Sequence, residues 1–193
     1  MQNHPLADTR REFIKNAGLL LASLILAPDT PGSTAQETQD PLGMILPKRK
    51  LGNTGESVTM LGLGGYHIGC FMSEPEAERT IRTALEQGVR FFDCSQAYCN
   101  GECERRLGKF LPSEHRDKYY LMTKTRAFDA KTAQEHLETS LRQLKVEYLD
   151  LWQMHNLFSL ENLDLRIKNG VLDVLQEAKR SGKVRHIGFT GHA

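Results

Sequence analysis

Residues 89–94 read Val89-Arg90-Phe91-Phe92-Asp93-Cys94, a short apolar run closing on a carboxylate. Similar runs recur at Leu61 to Gly65, Tyr119 to Lys124, Tyr148 to His155 and Val184 to Phe189. Taken in chain order, the five runs start 28, 30, 29 and 36 residues apart. Short runs rich in β-forming residues suit strands buried on both faces. Helical patterns fill the gaps. Ser73 caps one, with Pro75 in its first turn, Ala77, Ile81, Ala84 and Leu85 on one face, and Gly88 as its stop. A second covers about Glu102 to Leu111 and ends before Pro112. A third aligns Ala133, Leu137, Leu141 and Leu144. A fourth runs over roughly Asn169 to Arg180, with Leu172, Leu175 and Ala178 inward and Gly182 as stop. Ahead of the first run, Arg49 to Leu51 and Glu56 to Met60 flank the turn Gly52-Asn53-Thr54-Gly55, which predicts a hairpin.

Strand–helix alternation at this period implies parallel strands joined by right-handed crossovers. That leaves a (β/α) barrel and an open doubly wound sheet. Gly62-Leu63-Gly64-Gly65 is glycine-rich, but about seven residues separate Gly65 from the helix cap at Ser73. It is therefore not the G-x-G-x-x-G turn that opens a helix in dinucleotide-binding folds. The expected fold is α/β, of the (β/α)8 TIM-barrel type, with only about five of the β/α units present before Ala193.

The 193 residues are 39% hydrophobic and 25% charged, with 16 Gly and 7 Pro, which fits an ordinary globular chain and excludes disordered, collagenous and multi-span membrane classes. Twenty-five Lys and Arg against 24 Asp and Glu give a net charge of +1, so nucleic acid is not an expected partner. Four cysteines are too few for a disulfide scaffold.

The N-terminus has the layout of an export signal. Thr9-Arg10-Arg11-Glu12-Phe13-Ile14-Lys15 precedes an apolar stretch from Ala17 to Ala27, and Ser33-Thr34-Ala35 supplies small residues for cleavage. The stretch is too short to span a bilayer, which takes roughly 20 residues. The segment resembles a twin-arginine signal. That resemblance implies an exported, periplasmic protein that crosses the membrane already folded, with only transient membrane contact. Residues 1–35 are read as the signal, 36–47 as an extended linker around Pro41 and Pro47, and 48–193 as the partial barrel.

In parallel β/α folds, function gathers at the C-terminal ends of strands. Those ends carry Asp93, with Tyr98 five residues on, then Lys124 and His155. Each alone has an ordinary structural reading as a cap, a rim aromatic, a solvated charge or a hydrogen-bonded histidine. Together they describe a specific chemistry. A tyrosine hydroxyl is a poor acid at neutral pH; a nearby ammonium favours its phenolate, a carboxylate orients that ammonium, and a histidine can donate a hydrogen bond to a carbonyl oxygen. None of the four donates hydride, so a nicotinamide is required.

From Lys48 to Ala193 the sequence resembles the aldo-keto reductase family. The resemblance rests on Leu51-Gly52-Asn53-Thr54-Gly55, Gly62-Leu63-Gly64-Gly65-Tyr66, the stretch from Gly88 to Tyr98, and Gly101-Glu102-Cys103-Glu104-Arg105-Arg106-Leu107-Gly108. Lys124, Tyr148-Leu149-Asp150-Leu151 with His155, and Arg185-His186-Ile187-Gly188-Phe189 complete it. It implies that Tyr98 is the general acid, that Asp93 holds Lys124 beside it, and that His155 orients the carbonyl. Gly64, Gly65, Tyr66, Asp93, Thr190 and Gly191 would border the cofactor, which would be NADPH or NADH. The substrate would be a small aldehyde or ketone.

Two departures stand out. Cys99 and Cys103 replace a Gly and a Ser of many relatives, and with Cys94 they give C-x4-C-x3-C, which has no fourth ligand, so no metal is expected. An exported location would permit a disulfide, whose pairing the sequence does not assign. After Phe189, Thr190-Gly191 stands where many relatives have Ser-Asn, a variant closer to bacterial relatives. Some of those carry an iron–sulfur segment near the C-terminus; none falls within these residues. The resemblance also implies that the adenosine end of the cofactor is held by later barrel units. The chain alone is accordingly expected to be unstable or inactive, as a fragment or a disrupted gene product. A non-catalytic nucleotide-binding or sensor protein of the same fold is the alternative.

Overall fold

The computed structural model describes residues 38–191. The export signal read at 1–35 lies outside the described residues. The stretch read as an extended linker does not stay extended. β1 (Gln39–Asp40) and β2 (Gly43–Met44) pair as an antiparallel hairpin. Ile45 is buried beyond it, and the Leu46 N–H donates to Gly88 O at 3.0 Å. Gly88 sits at φ 88°, and a Cβ there would meet Leu46 N at 2.7 Å, so a side chain would push this segment off the body. The hairpin is tied down by Asp40, which takes both Nε and Nη2 of the buried Arg90 at 2.9 Å. The prolines made this stretch read as linker; Leu42, Ile45 and a partner 50 residues away made it structure.

β3 (Lys48–Lys50) and β4 (Ser57–Thr59) form the expected second hairpin, with Arg49 opposite Val58. Five strands then build one parallel sheet in sequential order: β5 (Leu63–Gly64), β6 (Phe91–Asp93), β7 (Tyr120–Thr125), β8 (Leu149–Leu157) and β9 (Val184–Gly191). Sequential parallel neighbours with intervening helices give a TIM-barrel-type α/β fold.

The helices are α1 (Gly65–Cys70), α2 (Glu74–Glu86), α3 (Glu102–Phe110), α4 (Ala130–Leu144), α5 (Leu160–Lys168) and α6 (Val171–Arg180). Ser73 and Glu76 make a reciprocal capping box on α2, the Ser73 N–H donating to Glu76 Oε2 at 2.8 Å. Ala77, Ile81 and Leu85 on α2, and Ala133, Leu137, Leu141 and Leu144 on α4, are buried as their spacing predicts. The helix expected from about Asn169 is preceded by a separate one, α5. Its inward residues are Asn162 and Arg166, while Leu160, Leu165 and Ile167 are exposed. That inverted pattern hid it from a hydrophobic-periodicity reading. Val171 rather than Leu172 is fully buried at the start of α6.

Period-2 alternation divides each strand between two faces. Phe92, Leu121, Trp152 and Met154 face the helices and form the main core. Phe91, Tyr120, Met122 and Leu151 face the other side, where Val58 and Leu51 of the second hairpin pack on them. On this inner face Lys124 is in register with Gln153, and Gln153 with Gly188. Two residues further along β8 and β9 lie His155 and Thr190. The alternation that buries aromatic residues at one end of the inner face therefore places polar ones at the other.

Candidate active site

Asp93 ends β6, Lys124 is the penultimate residue of β7, and His155 lies late in β8. Tyr98 follows β6 at the start of a 3-10 turn, Tyr98–Gly101, which enters α3. The structure brings all four predicted residues together. Lys124 is 4% exposed; its Nζ donates to Asp93 Oδ1 and, at 2.6 Å, to Cys94 O. The same ammonium lies 5.1 Å from the centre of the Tyr98 ring. The His155 ring stands edge-on to Tyr98 at 5.8 Å, and Tyr66 packs against Tyr98 at 5.3 Å. Asp93 keeps 42% of its side chain exposed, so the pair has one buried and one accessible member.

His155 is fixed from two sides. Its Nδ1 is 2.7 Å from Thr190 Oγ1, which also accepts the Asn156 N–H at 3.0 Å. Its carbonyl accepts from Arg166 Nη1 at 2.9 Å. Arg166 is buried over the Phe128 ring, 4.4 Å from its centre. A cleft of about 470 Å³ opens here, lined by Tyr66, Cys70, Tyr98, Cys99, Arg126 and His155 among others.

The glycines divide by their surroundings. Gly64 is exposed, with nothing within 4 Å of where a Cβ would stand. Gly65 is buried, and a Cβ there would meet Cys103 Sγ at 2.1 Å, so close packing of α1 on α3 accounts for it. A Cβ on Gly191 would meet Leu157 O at 3.2 Å.

The cysteines do not gather as C-x4-C-x3-C. Cys99 is disulfide-bonded to Cys70, the last residue of α1. Cys94 and Cys103 face each other in the core, Sγ to Sγ at 2.7 Å. Burial, and the neighbouring Cys103 thiol, push the Cys94 thiol well up. Beneath them Glu104 is fully buried and accepts from Thr123 Oγ1 at 2.6 Å; burial raises its carboxyl pKa despite this bond. Sequence reasoning passed over Cys70, Arg126, Asn156 and Arg166. Arg126 and Asn156 sit at strand ends beside Lys124 and His155, a position that could have marked them, whereas Arg166 reaches the His155 carbonyl from the following helix and Cys70 meets Cys99 from another β/α unit, neither with a local signal.

A parallel α/β barrel sheet with Tyr, Lys, Asp and His converging at its C-terminal rim defines a narrow class, and comparison with known proteins agrees. The Aldo/keto reductase family model matches residues 60–193, and the chain belongs to that family. It is 33% identical over 154 residues to L-galactose dehydrogenase of Arabidopsis thaliana, covering 74% of this chain and 48% of that protein. It is 33% identical over 156 residues to the aldo-keto reductase YhdN of Bacillus subtilis, covering 72% of this chain and 45% of that one. Among solved structures, an aldo-keto reductase of Bacillus halodurans in its holo form superposes with a TM-score of 0.65 at 27% identity, over 76% of this chain and 50% of that one. The chain thus spans about half the length of the curated relatives it matches.

Proposed function

We propose that this protein is an NAD(P)H-dependent oxidoreductase that reduces an aldehyde or ketone, or runs the reverse reaction. The observation that carries the reading is the buried Lys124 ammonium, bonded to Asp93 and Cys94 O and 5.1 Å from the centre of the Tyr98 ring, with the His155 ring 5.8 Å from the same centre.

The residues present fit a nicotinamide. Gly64 leaves open space at the end of β5, and Gln153 Oε1, on the same face as Lys124, is a buried acceptor with no partner among the described residues. Gly64, Tyr66 and Asp93 on one side, and Gln153 with Thr190-Gly191 on the other, would border it. When bound, that group supplies the hydride. The chain's own residues manage the proton and the charge. Tyr98 gives its hydroxyl proton to the substrate oxygen. The Lys124 ammonium stabilises the negative charge left on the Tyr98 oxygen, and Asp93 keeps that ammonium in place. Thr190 Oγ1 accepts the Asn156 N–H at 3.0 Å and lies 2.7 Å from His155 Nδ1, a contact in which either the hydroxyl or the ring nitrogen can donate. With the Thr190 hydroxyl as donor, the neutral His155 ring carries its proton on Nε2, the tautomer that donates to a carbonyl oxygen. Burial of Lys124 and His155 removes competing water from the two groups that handle charge.

The test is NAD(P)H oxidation by the purified protein over a panel of small aldehydes and ketones. Tyr98→Phe should lower kcat by ~10²-fold or more while leaving the circular dichroism spectrum unchanged. Equal turnover by wild type and Tyr98→Phe would overturn the assignment. We propose further that residues 1–35 direct export by the twin-arginine route; replacing Arg10 and Arg11 by Lys should then retain the protein inside the cell, and unchanged export would refute it.

A further inference from the structure

Immediately after Tyr98 the backbone runs through three consecutive left-handed residues: Cys99 at φ 51°, Asn100 at φ 54° and Gly101 at φ 81°. Only the third is a glycine. Left-handed geometry is unfavourable for most residues with a Cβ; asparagine tolerates it, but Cys99, directly beside the candidate acid, is held against local preference. Gly101 has its own restraint: a Cβ there would meet Gln143 Oε1 at 2.6 Å, so this end of the turn is pressed against α4. At the other end, Cys99 is tied to Cys70 across a Cα–Cα distance of 5.4 Å, and the two lie 29 residues apart in sequence. Cys70 closes α1, whose Tyr66 packs on Tyr98. The disulfide therefore joins the two elements that contribute tyrosine rings to the cleft. Both of its residues are half-buried and line the cleft, whereas Cys94 and Cys103 are fully buried.

We propose that Cys70–Cys99 is a thiol–disulfide exchange site that controls whether Tyr98 is held in its working position. The co-reactant is a dithiol, small or protein-borne, that enters through the cleft. One of its thiolates attacks one sulfur of the pair; the Cys70–Cys99 bond breaks, and the departing sulfur leaves with the bonding electrons as a thiolate that takes up a proton. The second thiolate of the dithiol attacks the mixed disulfide and frees the other cysteine. The net change is one protein disulfide reduced and one dithiol oxidised. Once released, Cys99 and Asn100 relax toward commoner backbone geometry, and Tyr98 moves with them. Closure by an oxidant of the small-molecule disulfide class reverses each step.

This inference rests on Tyr98 being the acid, so the test separates the two. Under non-reducing conditions, peptide mapping after alkylation should link Cys70 to Cys99 and show Cys94 and Cys103 as thiols alkylated only after denaturation. Hydrogen–deuterium exchange is then measured on the full protein before and after dithiothreitol. Reduction should speed exchange of residues 65–71 and 96–101 at least tenfold more than it speeds exchange in β7 and β8, whose amides follow only the loss of global stability. Cys70→Ser should match the reduced wild type and ignore dithiothreitol. NAD(P)H turnover by the wild type should fall at least tenfold on reduction and recover with oxidised dithiothreitol, while Cys70→Ser stays low throughout. A different pairing, a rise in exchange at 65–71 and 96–101 no larger than that across the sheet, or measurable turnover that is indifferent to reduction would overturn the proposal. Absence of turnover in both redox states, with localised exchange still following the disulfide, would refute the enzyme reading and leave the exchange site standing.

Discussion

Replacing Asp40 by Ala tests whether the N-terminal hairpin belongs to the folded body. Arg90 is 2% exposed, and each of its five guanidinium N–H groups has an acceptor. Nε and one Nη2 hydrogen go to Asp40; Nη1 serves Leu85 O at 2.7 Å and Val89 O at 3.0 Å; Nη2 also reaches Met44 O at 3.2 Å. Asp40→Ala removes the only carboxylate among those acceptors and leaves a buried cation short of two bonds. Breaking a buried pair in this way costs about 3–5 kcal/mol, a large share of the ~5–15 kcal/mol by which domains are stable. With an m-value of ~2 kcal/mol/M in urea, the midpoint should drop by roughly 1.5–2.5 M. The fully buried Trp152, the chain's single tryptophan, reports the transition. Glu78→Ala, which breaks an exposed pair with Arg82, is the control and should change stability by less than about 0.5 kcal/mol. Burial opposes ionisation of Asp40, but the hydrogen bonds from Arg90 and the Leu42 N–H outweigh it and hold the carboxyl below the usual range. The unfolded chain thus takes up this proton before the folded one does. The stabilisation is complete above the unfolded pKa and is lost as pH falls through the folded one. A midpoint shift no larger than the control's would refute the view that this ion pair anchors residues 39–46.

Glu104 gives the opposite sign. Its pKa is raised by burial, so the folded state keeps the proton longer; its stability contribution is largest in acid and declines as pH rises from the unfolded toward the folded pKa. Glu104→Gln should flatten that slope in urea titrations at stepped pH. Donation from the Thr190 hydroxyl to His155 Nδ1 predicts an Nε2–H tautomer that Thr190→Val converts into a mixture, read from imidazole 15N shifts assigned with His155→Gln; an Nδ1–H tautomer in the wild type would refute that direction. Lys124→Met removes the charge beside Tyr98 and should lower kcat by ~10²-fold or more with little change in KM. Reducing the Cys70–Cys99 bond opens a loop of about 30 residues; loop entropy sets its stabilisation between the ~3 kcal/mol of a 15-residue loop and the ~4.7 kcal/mol of a 100-residue one, measurable as a fall in urea midpoint.

The five apolar runs, the caps at Ser73 and Gly88, and the polar residues at strand ends were legible because each is written locally. A parallel strand buried on both faces must be short and apolar, and a helix must punctuate itself within a turn. Asp93, Tyr98, Lys124 and His155 could be named because the fold puts strand ends on one rim. Other features are not local. The hairpin at residues 39–44 depends on Arg90, fifty positions on; Thr190 meets His155 across two adjacent strands; Cys70 meets Cys99 between α1 and the turn after β6. Helix α5 turns Asn162 and Arg166 inward because Arg166 is needed at the His155 carbonyl, which reverses the pattern that periodicity relies on. The sequence alone determined which segments become strands and helices and which chemistry their ends carry, since backbone propensity and side-chain alternation act over a few residues. The tertiary structure alone decided which distant partners satisfy the buried charges, hydroxyls and thiols, because that depends on where separate β/α units bring their side chains to rest.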